Sequence, residues 1–502
     1  MQIAIIGAGF AGLSSAKVLS QVGFEVTVYE KAPDVGGVWS ATRRYPGVRT
    51  QNDKGTYALS DFPMPPDYPE WPSGEQVQRY LADYVRHVGL EPSLRLGTEV
   101  VSVRPAADGE SWSVTTRDVT TGESDTRTFD RVVVANGIFS EPLVPAFPGL
   151  EEFTACGGRV CASSDFHDVA EAAGRDVVVV GYGKSSCDVS IPISDVAAST
   201  HLVARELLWK MPRRLGGVLN YKFLMLTRMG EGLFRYIRPR GFERFLHGPG
   251  DAVRRRLLSG VQAVATRQLR LRDLDLVPRG TFEDIARSTV SLATHGFYER
   301  VADGVITVHR DRVVARLLED DGRPHVELSD GTLLPADLVV CGTGFRQVVP
   351  FLDEDLQRRI TDERGNFVLY RQIKPIDVPG MYFAGYNSSF FSPLSAEMAA
   401  VWIAHDLLGD LLLPSPDDQR RHVDERLRWM EERTRGQHAR GTNVIPFSMH
   451  NIDEVLSDVG VDVGPVTRAL QWLLPIDPGS YRHVTAHLLA TSDAARATAA
   501  RT

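Results

Sequence analysis

One local grammar occurs twice in this chain of 502 residues, and it restricts the fold more than any other feature. Ile3-Ala4-Ile5-Ile6 is a short apolar run of the kind found in a parallel strand covered on both faces. It passes through Gly7-Ala8-Gly9-Phe10-Ala11-Gly12 into a helical stretch, Leu13 to Val22. A second strand, Glu25 to Tyr29, ends at Glu30. The glycines permit a tight turn and let a pyrophosphate approach a helix N-terminus, while an acid 23 positions after Gly7 suits ribose hydroxyls. Val177 to Val180 then leads into Gly181-Tyr182-Gly183-Lys184-Ser185-Ser186, with Ser186 in place of the third glycine. Two nucleotides are implied. After the strand His201 to Ala204 the expected acid is replaced by Arg205, 24 positions beyond Gly181. A guanidinium there favours a 2′-phosphate, hence NADPH over NADH; the alternative is a surface arginine paired with a nearby acid.

A further repeated feature is an apolar strand that ends in small residues: Val132 to Val134 before Ala135-Asn136-Gly137, and Leu338 to Cys341 before Gly342-Thr343-Gly344. Such strands return the chain from one unit to the other, so the second unit is expected to be inserted into the first. The expected fold is α/β, with two Rossmann-like dinucleotide-binding domains, the second (NADPH) domain inserted into the first, a helical insert and a C-terminal cap. The boundaries read from the sequence are 1–140 with 336–413 for the first domain, 141–335 for the NADPH domain including a basic insert at 210–290, and 414–502 for the cap and tail. Length alone, at ~150 residues per domain, allows about three such units.

The formal charge of −8 excludes general nucleic-acid binding. Four cysteines without CxxC spacing give neither a disulfide framework nor a zinc or redox pair, which fits a cytoplasmic protein. They read as small buried hydrophobes. The apolar stretch Val401 to Leu413 carries His405, Asp406 and Asp410 and is too short for the ~20 residues of a membrane span. His295, His405 and His450 show no ligand spacing and are expected to satisfy local hydrogen bonds, with no metal site.

Several stretches resemble the flavin-containing monooxygenases and their Baeyer-Villiger relatives, the class B two-dinucleotide flavoprotein monooxygenases. Glu30-Lys31, Asp34-Val35-Gly36-Gly37-Val38-Trp39 and Tyr45-Pro46-Gly47-Val48-Arg49 look like that family's flavin-binding stretch, continued by Ser60-Asp61-Phe62-Pro63-Met64-Pro65. Cys341-Gly342-Thr343-Gly344-Phe345 is similar to its late turn. The resemblance implies FAD binding by Gly7, Ala8, Gly9, Phe10, Ala11, Gly12, Glu30, Lys31, Gly37, Val38 and Trp39, with Gln51, Asn52, Val101, Asn136, Thr343 and Gly344 also at the cofactors. It implies NADPH binding by Gly181, Gly183, Lys184, Ser185, Ser186 and Arg205. Two departures stand out. Where the family carries Phe-x-Gly-x-x-x-His and a later aromatic, this chain has Cys156, Gly158, Ala162 and Phe166, with His167 one position out of register. With Lys54 aligned to the family's lysine, Gln51 takes the place usually held by asparagine in amine and sulfur oxygenators and by aspartate in many Baeyer-Villiger enzymes; a shift of one residue puts Asn52 there instead, and both registers stand at this point. No cysteine occurs from Gly36 to Gly55, which sets the chain apart from disulfide reductases of similar design.

The implied reaction takes a small organic substrate and dioxygen. NADPH reduces FAD, a flavin C4a-(hydro)peroxide forms and is kept dry, and one oxygen atom is transferred. Gln51 and Asn52 are the catalytic candidates, with bound nicotinamide as a shield. Because Gln51 cannot ionise, nitrogen or sulfur is the expected acceptor and a ketone carbonyl the alternative. A redox-dependent binding protein or uncoupled NADPH oxidase is the reading from another class.

Between Lys210 and Arg279 there are 16 Lys and Arg against five acids, a local +11 that leaves −19 for the remainder. Three roles suit this insert: a lid, a field that attracts NADPH, or a peripheral membrane surface. The alternative is a solvated face packed on the domain. Beyond it, a charged helix (Asp417 to Arg435), Asn443-Val444-Ile445-Pro446-Phe447 and Tyr481-Arg482 resemble the family's cap, and fraying is expected from Thr491.

Overall fold

The computed structural model describes residues 1–286, 291–387, 389–436 and 447–499, the side chains of 493–499 excepted. Along the chain the two central sheets are built from β1 (Gln2–Ile6), β2 (Glu25–Tyr29), β3 (Leu94–Arg95), β4 (Arg131–Val134), β5 (Arg159–Ala162), β6 (Asp176–Val180), β7 (Ser199–Ala204), β8 (Thr307–Arg310), β9 (Leu338–Cys341) and β10 (Met381–Phe383). The first sheet has the order β10-β4-β1-β2-β3 and the second β8-β7-β6-β9-β5, and every pairing in both is parallel. These are two Rossmann-like sheets. Their central strands are apolar without alternation because helices or loops cover both faces; Ile3 to Ile5 and Val177 to Val179 have no exposed surface.

The nesting is visible in the order of strands. The first sheet takes β1 to β4, the chain leaves to build the second from β5 to β9, and β10 returns to pair with β4. The boundary read from the sequence at 335/336 requires correction, since β9 still belongs to the second sheet, between β6 and β5. The chain therefore crosses back beyond Gly342. The two crossings run side by side: Glu141–Pro142 pairs antiparallel with Phe345–Arg346, and the Leu143 N–H donates to the Gly344 carbonyl at 2.9 Å. The Thr343 hydroxyl donates to the Leu143 carbonyl.

Helix α1 (Phe10–Gln21) starts directly after the first glycine turn and packs its buried Leu13, Ala16 and Leu19 beneath the sheet. Helix α2 (Gly74–Val88) starts at Ser73, whose side chain and that of Gln76 form a reciprocal capping box, and it stops at Gly89 in the left-handed region. In the second unit, helix α3 (Lys184–Ser194) occupies the position α1 has in the first. Helix α4 (Asp251–Gln268) belongs to the basic insert, and helix α5 (Ser392–Leu408) is buried from Pro393 to His405 and covers α1. Its Glu397, 1% exposed, accepts from the Ser60 N–H (2.9 Å) and hydroxyl (2.6 Å). Lys17 bridges Asp61 at 2.8 Å, so the Ser60-Asp61 stretch is fixed by polar contacts under the sheet.

The cap comprises helices α6 (Pro416–Thr434), α7 (Ser448–Asp458) and α8 (Arg482–Ala499). The helix α8 continues through Thr491, where fraying was expected. Asn443 to Pro446 lie outside the described residues. The basic insert docks on acids elsewhere: Lys222 on Asp53 and Glu70, Arg214 on Glu70, Arg228 on Asp453 and Arg238 on Glu425. Part of the +11 and −19 is thus the charge of surfaces that meet. At their centre His450 of the cap is stacked on Tyr236 (4.1 Å) and bonded to Glu231 through Nδ1 and to Glu243 through Nε2 (2.8 Å). Burial opposes a charge on this imidazole, but the two carboxylates outweigh it and hold the pKa well above the ordinary range.

A pH dependence follows from that raised pKa. The stabilisation from His450 is complete below the unfolded imidazole value of about 6.5 and is lost as pH rises through the raised folded value. Thermal unfolding of His450→Gln and the parent protein should therefore differ most near neutral or lower pH and converge in alkaline buffer.

Candidate functional site

A single continuous cavity of about 1200 Å³ runs between the carboxyl ends of the two sheets. A pocket for one small molecule is typically ~300–1000 Å³, so this space is large enough for more than one ligand. Both glycine turns open into it, through Gly7, Gly9, Phe10 and Ala11 on one side and Gly181, Gly183, Lys184 and Ser185 on the other.

The backbone explains the glycines. Gly7 has φ +110°, and a Cβ there would meet the Ala135 carbonyl oxygen at 2.4 Å; Gly181 has φ +115°, and its Cβ would meet the Gly342 oxygen at 2.6 Å. Each first glycine is thus pressed against the small-residue turn that follows the neighbouring strand, β4 or β9. A Cβ on Gly12 would lie 1.8 Å from the Gly7 oxygen, so the third glycine serves the packing of α1 on its own turn. In the second unit Ser186 fills that place and donates its hydroxyl to the Gly342 carbonyl at 3.1 Å. Helices α1 and α3 begin at Gly9 and Gly183 without a side-chain cap and without an acid in the first turn. Their first N–H groups are therefore left to a ligand, as phosphate binding requires.

Most of the remaining candidates border the same cavity. Glu30 and Lys31 lie at the end of β2, Gly37, Val38 and Trp39 form a short 3-10 turn, and Gln51 and Asn52 follow. Asn136, Thr343 and Gly344 come from the turns after β4 and β9. The Glu30 carboxylate accepts from the N–H groups of Ala8 (2.8 Å) and Ala32 (2.9 Å) and so locks the glycine turn to β2. Arg205 stands exposed at the end of β7, borders the cavity and makes no ion pair among the described residues, contrary to the paired-surface alternative. Four candidates do not border it. Ala8, Gly12 and Ser186 are buried within the turns and act through packing. Val101 is displaced because the ladder shifts register between Val100 and Ser102, and Val100 takes the cavity position instead. His167 is exposed and does not border the cavity itself, although its ring bonds the carbonyl of Arg44, which does.

The amides at 51 and 52 are oriented by their partners. The Gln51 Oε1 accepts from the Leu292 N–H at 3.1 Å, and the Gln51 main-chain oxygen accepts from the Tyr221 hydroxyl. Asn52, 3% exposed, donates through Nδ2 to the Phe390 carbonyl at 2.9 Å. Because a carbonyl can only accept and an N–H can only donate, Gln51 is left with its NH₂ free of described partners and Asn52 with its oxygen. Sequence reasoning missed Asp188, which gathers three segments: it takes hydrogen bonds from Thr294 (2.6 Å) and Tyr45 (3.2 Å) and pairs with Lys184. Burial lowers the Lys184 pKa and Asp188 partly offsets this. Arg312, whose N–H bonds the Ala204 carbonyl, borders the cavity near Arg205 and carried no sequence signal.

Residues 1–248 match the family described as FMO-like, flavin-binding monooxygenase-like. Flavin-containing monooxygenase 3 of Homo sapiens is 24% identical over 95% of this chain and 85% of its own length. Over residues 1–248 the chain belongs to the flavin-binding monooxygenase family. Solved structures agree on the fold of this family: S-allyl-L-cysteine S-oxygenase from Allium sativum superposes with a TM-score of 0.62 (20% identity, 99% of this chain and 98% of that one). Cyclohexanone monooxygenase from Rhodococcus sp. Phi1, bound to NADP+, gives 0.66 (18% identity, 91% and 97%). The protein is an FAD- and NADPH-dependent oxidoreductase of the monooxygenase type that uses O₂ and a small organic substrate. Its cavity fits that pair of cofactors: two uncapped helix starts face it, and the buried Asn387 Oδ1 on its wall has no partner among the described residues. Among the described residues no helix is long and apolar enough to cross a membrane, and no group of His, Cys, Asp and Glu is arranged to hold a metal.

If Arg205 meets a 2′-phosphate, Arg205→Ala should raise the KM for NADPH about 10- to 100-fold, the loss expected for a charged hydrogen bond, and leave that for NADH nearly unchanged. Steady-state kinetics with both nucleotides read this directly.

Proposed function

We propose that the cavity directs oxygen to a soft nucleophile, an amine nitrogen or a thioether sulfur, and that Gln51 is the residue beside the reacting oxygen. When bound, NADPH supplies a hydride to FAD and the reduced flavin activates O₂. The glycine turns with Glu30 would hold FAD, while Gly181, Gly183, Lys184, Ser185 and Arg205 would hold NADPH. The carrying observation is the Gln51 side chain: with Oε1 engaged by the Leu292 N–H, the end left over is a neutral NH₂ donor. Such a group stabilises a protonated oxygen by a hydrogen bond and cannot remove its proton. The adjacent Asp53 is turned into its own loop and is taken by Thr56 (2.9 Å), the Gly55 N–H (3.2 Å) and Lys222 (3.2 Å), so it supplies no base beside Gln51. A protonated oxygen is electrophilic, which suits nitrogen and sulfur.

A second reading, Baeyer-Villiger oxygenation of a ketone, has its own support. Arg44 and Arg49 border the cavity, and nearby positive charge favours a deprotonated, nucleophilic oxygen. A cyclic ketone is also the compound in the name of the superposed cyclohexanone monooxygenase.

A product screen with an amine, a thioether and a cyclic ketone separates these readings. N-oxide or sulfoxide supports the first, and lactone alone would transfer the assignment to the second. NADPH consumed wholly as hydrogen peroxide with all three would make the protein an oxidase. Gln51→Leu should divert NADPH consumption towards peroxide by about tenfold or more, the scale of one lost hydrogen bond, while Asn52→Ala tests the neighbouring amide. Unchanged coupling in both variants would remove this pair from the mechanism.

A further inference from the structure

We propose that the outer face shared by the basic insert and the cap docks on an anionic lipid surface. Among the described residues, nine of the 24 exposed large hydrophobic side chains fall in two short segments, 242–264 and 466–474. They include Phe242 (46% exposed), Phe245 (48%), Val253 (70%), Leu257 (47%), Leu470 (53%) and Leu473 (72%). These segments meet. Phe242 stacks on Phe245 at 5.6 Å and sets its edge against Trp472 at 5.7 Å, so the insert and the cap supply one aromatic junction. A Cβ on Gly250 would lie 2.6 Å from the Phe245 ring, which places that ring against the start of α4. Val253 and Leu257 continue the strip one helical turn apart on α4, and Leu470 and Leu473 flank Trp472. A soluble monomer seldom exposes so large a run of apolar groups without a use for it.

Charge identifies the occupant. From Arg235 to Arg272 there are ten arginines and two acids, and one of those acids, Glu243, is buried against His450. Arg235, Arg240 and Arg256 are exposed, and their guanidinium groups have no carboxylate partner among the described residues; the Arg240 main-chain N–H alone donates to Glu243, at 3.2 Å. Apolar side chains beside unpaired arginines match the boundary between acyl chains and anionic headgroups. A second copy of the same face would bring these cations against one another, which disfavours self-association through it. The ion pairs that fasten the insert to the cap, Arg228 to Asp453 and Arg238 to Glu425, leave the strip uncovered while they hold its two halves together.

Sedimentation of the FAD-loaded full chain with phosphatidylcholine vesicles, with and without phosphatidylserine, tests the proposal. The protein should partition onto the phosphatidylserine vesicles, release at raised ionic strength, and stay in solution with phosphatidylcholine alone. Leu473→Asp and Val253→Asp, both at strongly exposed sites, should each lower partition about tenfold while NADPH oxidation stays unchanged, and Arg256→Glu should act through the charge term. Protein that remains in solution with phosphatidylserine vesicles, or variants that bind as well as the parent, would overturn the assignment. So would a lipid-free dimer that Leu473→Asp converts to monomer, since the face would then belong to a second copy.

Discussion

Two backbone contacts less than the width of a methyl group set the geometry of this enzyme. The first glycine of each nucleotide turn lies against a carbonyl of the turn that follows the adjacent strand, Gly7 on Ala135 and Gly181 on Gly342. No side chain fits in either place, and the positive φ at both positions excludes the rest of the residue alphabet on conformational grounds as well. These contacts fix where α1 and α3 begin and aim their first N–H groups at one cavity. Asn136 and Thr343 are brought to the wall by the same turns. Cofactor geometry in the two units is therefore the product of a single repeated packing rule.

That rule was legible in the sequence because it is local. Strand, glycines, helix and terminal acid or arginine lie within about 30 residues, and burial of both sheet faces leaves an unbroken apolar run that needs no partner to be recognised. The small-residue turns after Val134 and Cys341 were visible as a repeat, although their purpose appears only when they are seen against Gly7 and Gly181. What escaped was long-range or depended on one residue of register. Leu338–Cys341 reads equally well as the last strand of one sheet or a return to the other, and only its pairing with Asp176–Val180 decides. The bulge at Val101 moves a predicted wall residue off the wall, and no composition signals it. Asp188 gathers Tyr45 and Thr294 across the whole nucleotide region, a coincidence that spacing does not encode.

The insert shows how a whole-chain average conceals structure. Part of its positive excess faces the acids of the cap and flavin loop across a joint. At most of the joint, exposed pairs such as Arg238 with Glu425 contribute ~0–1 kcal/mol each and act mainly as guides to docking. His450 between Glu231 and Glu243 is different, since a buried cation with two hydrogen-bonded carboxylates would be costly to break on either side. Specific alignment of insert and cap is concentrated there, close to Tyr236 and Phe447.

The nested order of strands also has a consequence during synthesis. The inner sheet has all its strands once Cys341 has been made, whereas the outer one lacks β10 until Met381 to Phe383 emerge and lacks its covering helix α5 until Leu408. At roughly 5–20 residues per second, the interval from Val134 to that point lasts on the order of tens of seconds. For that time β4 is an apolar edge strand without its neighbour, on a nascent chain whose inner unit is free to fold first. The part of the protein translated earliest is the part that closes last.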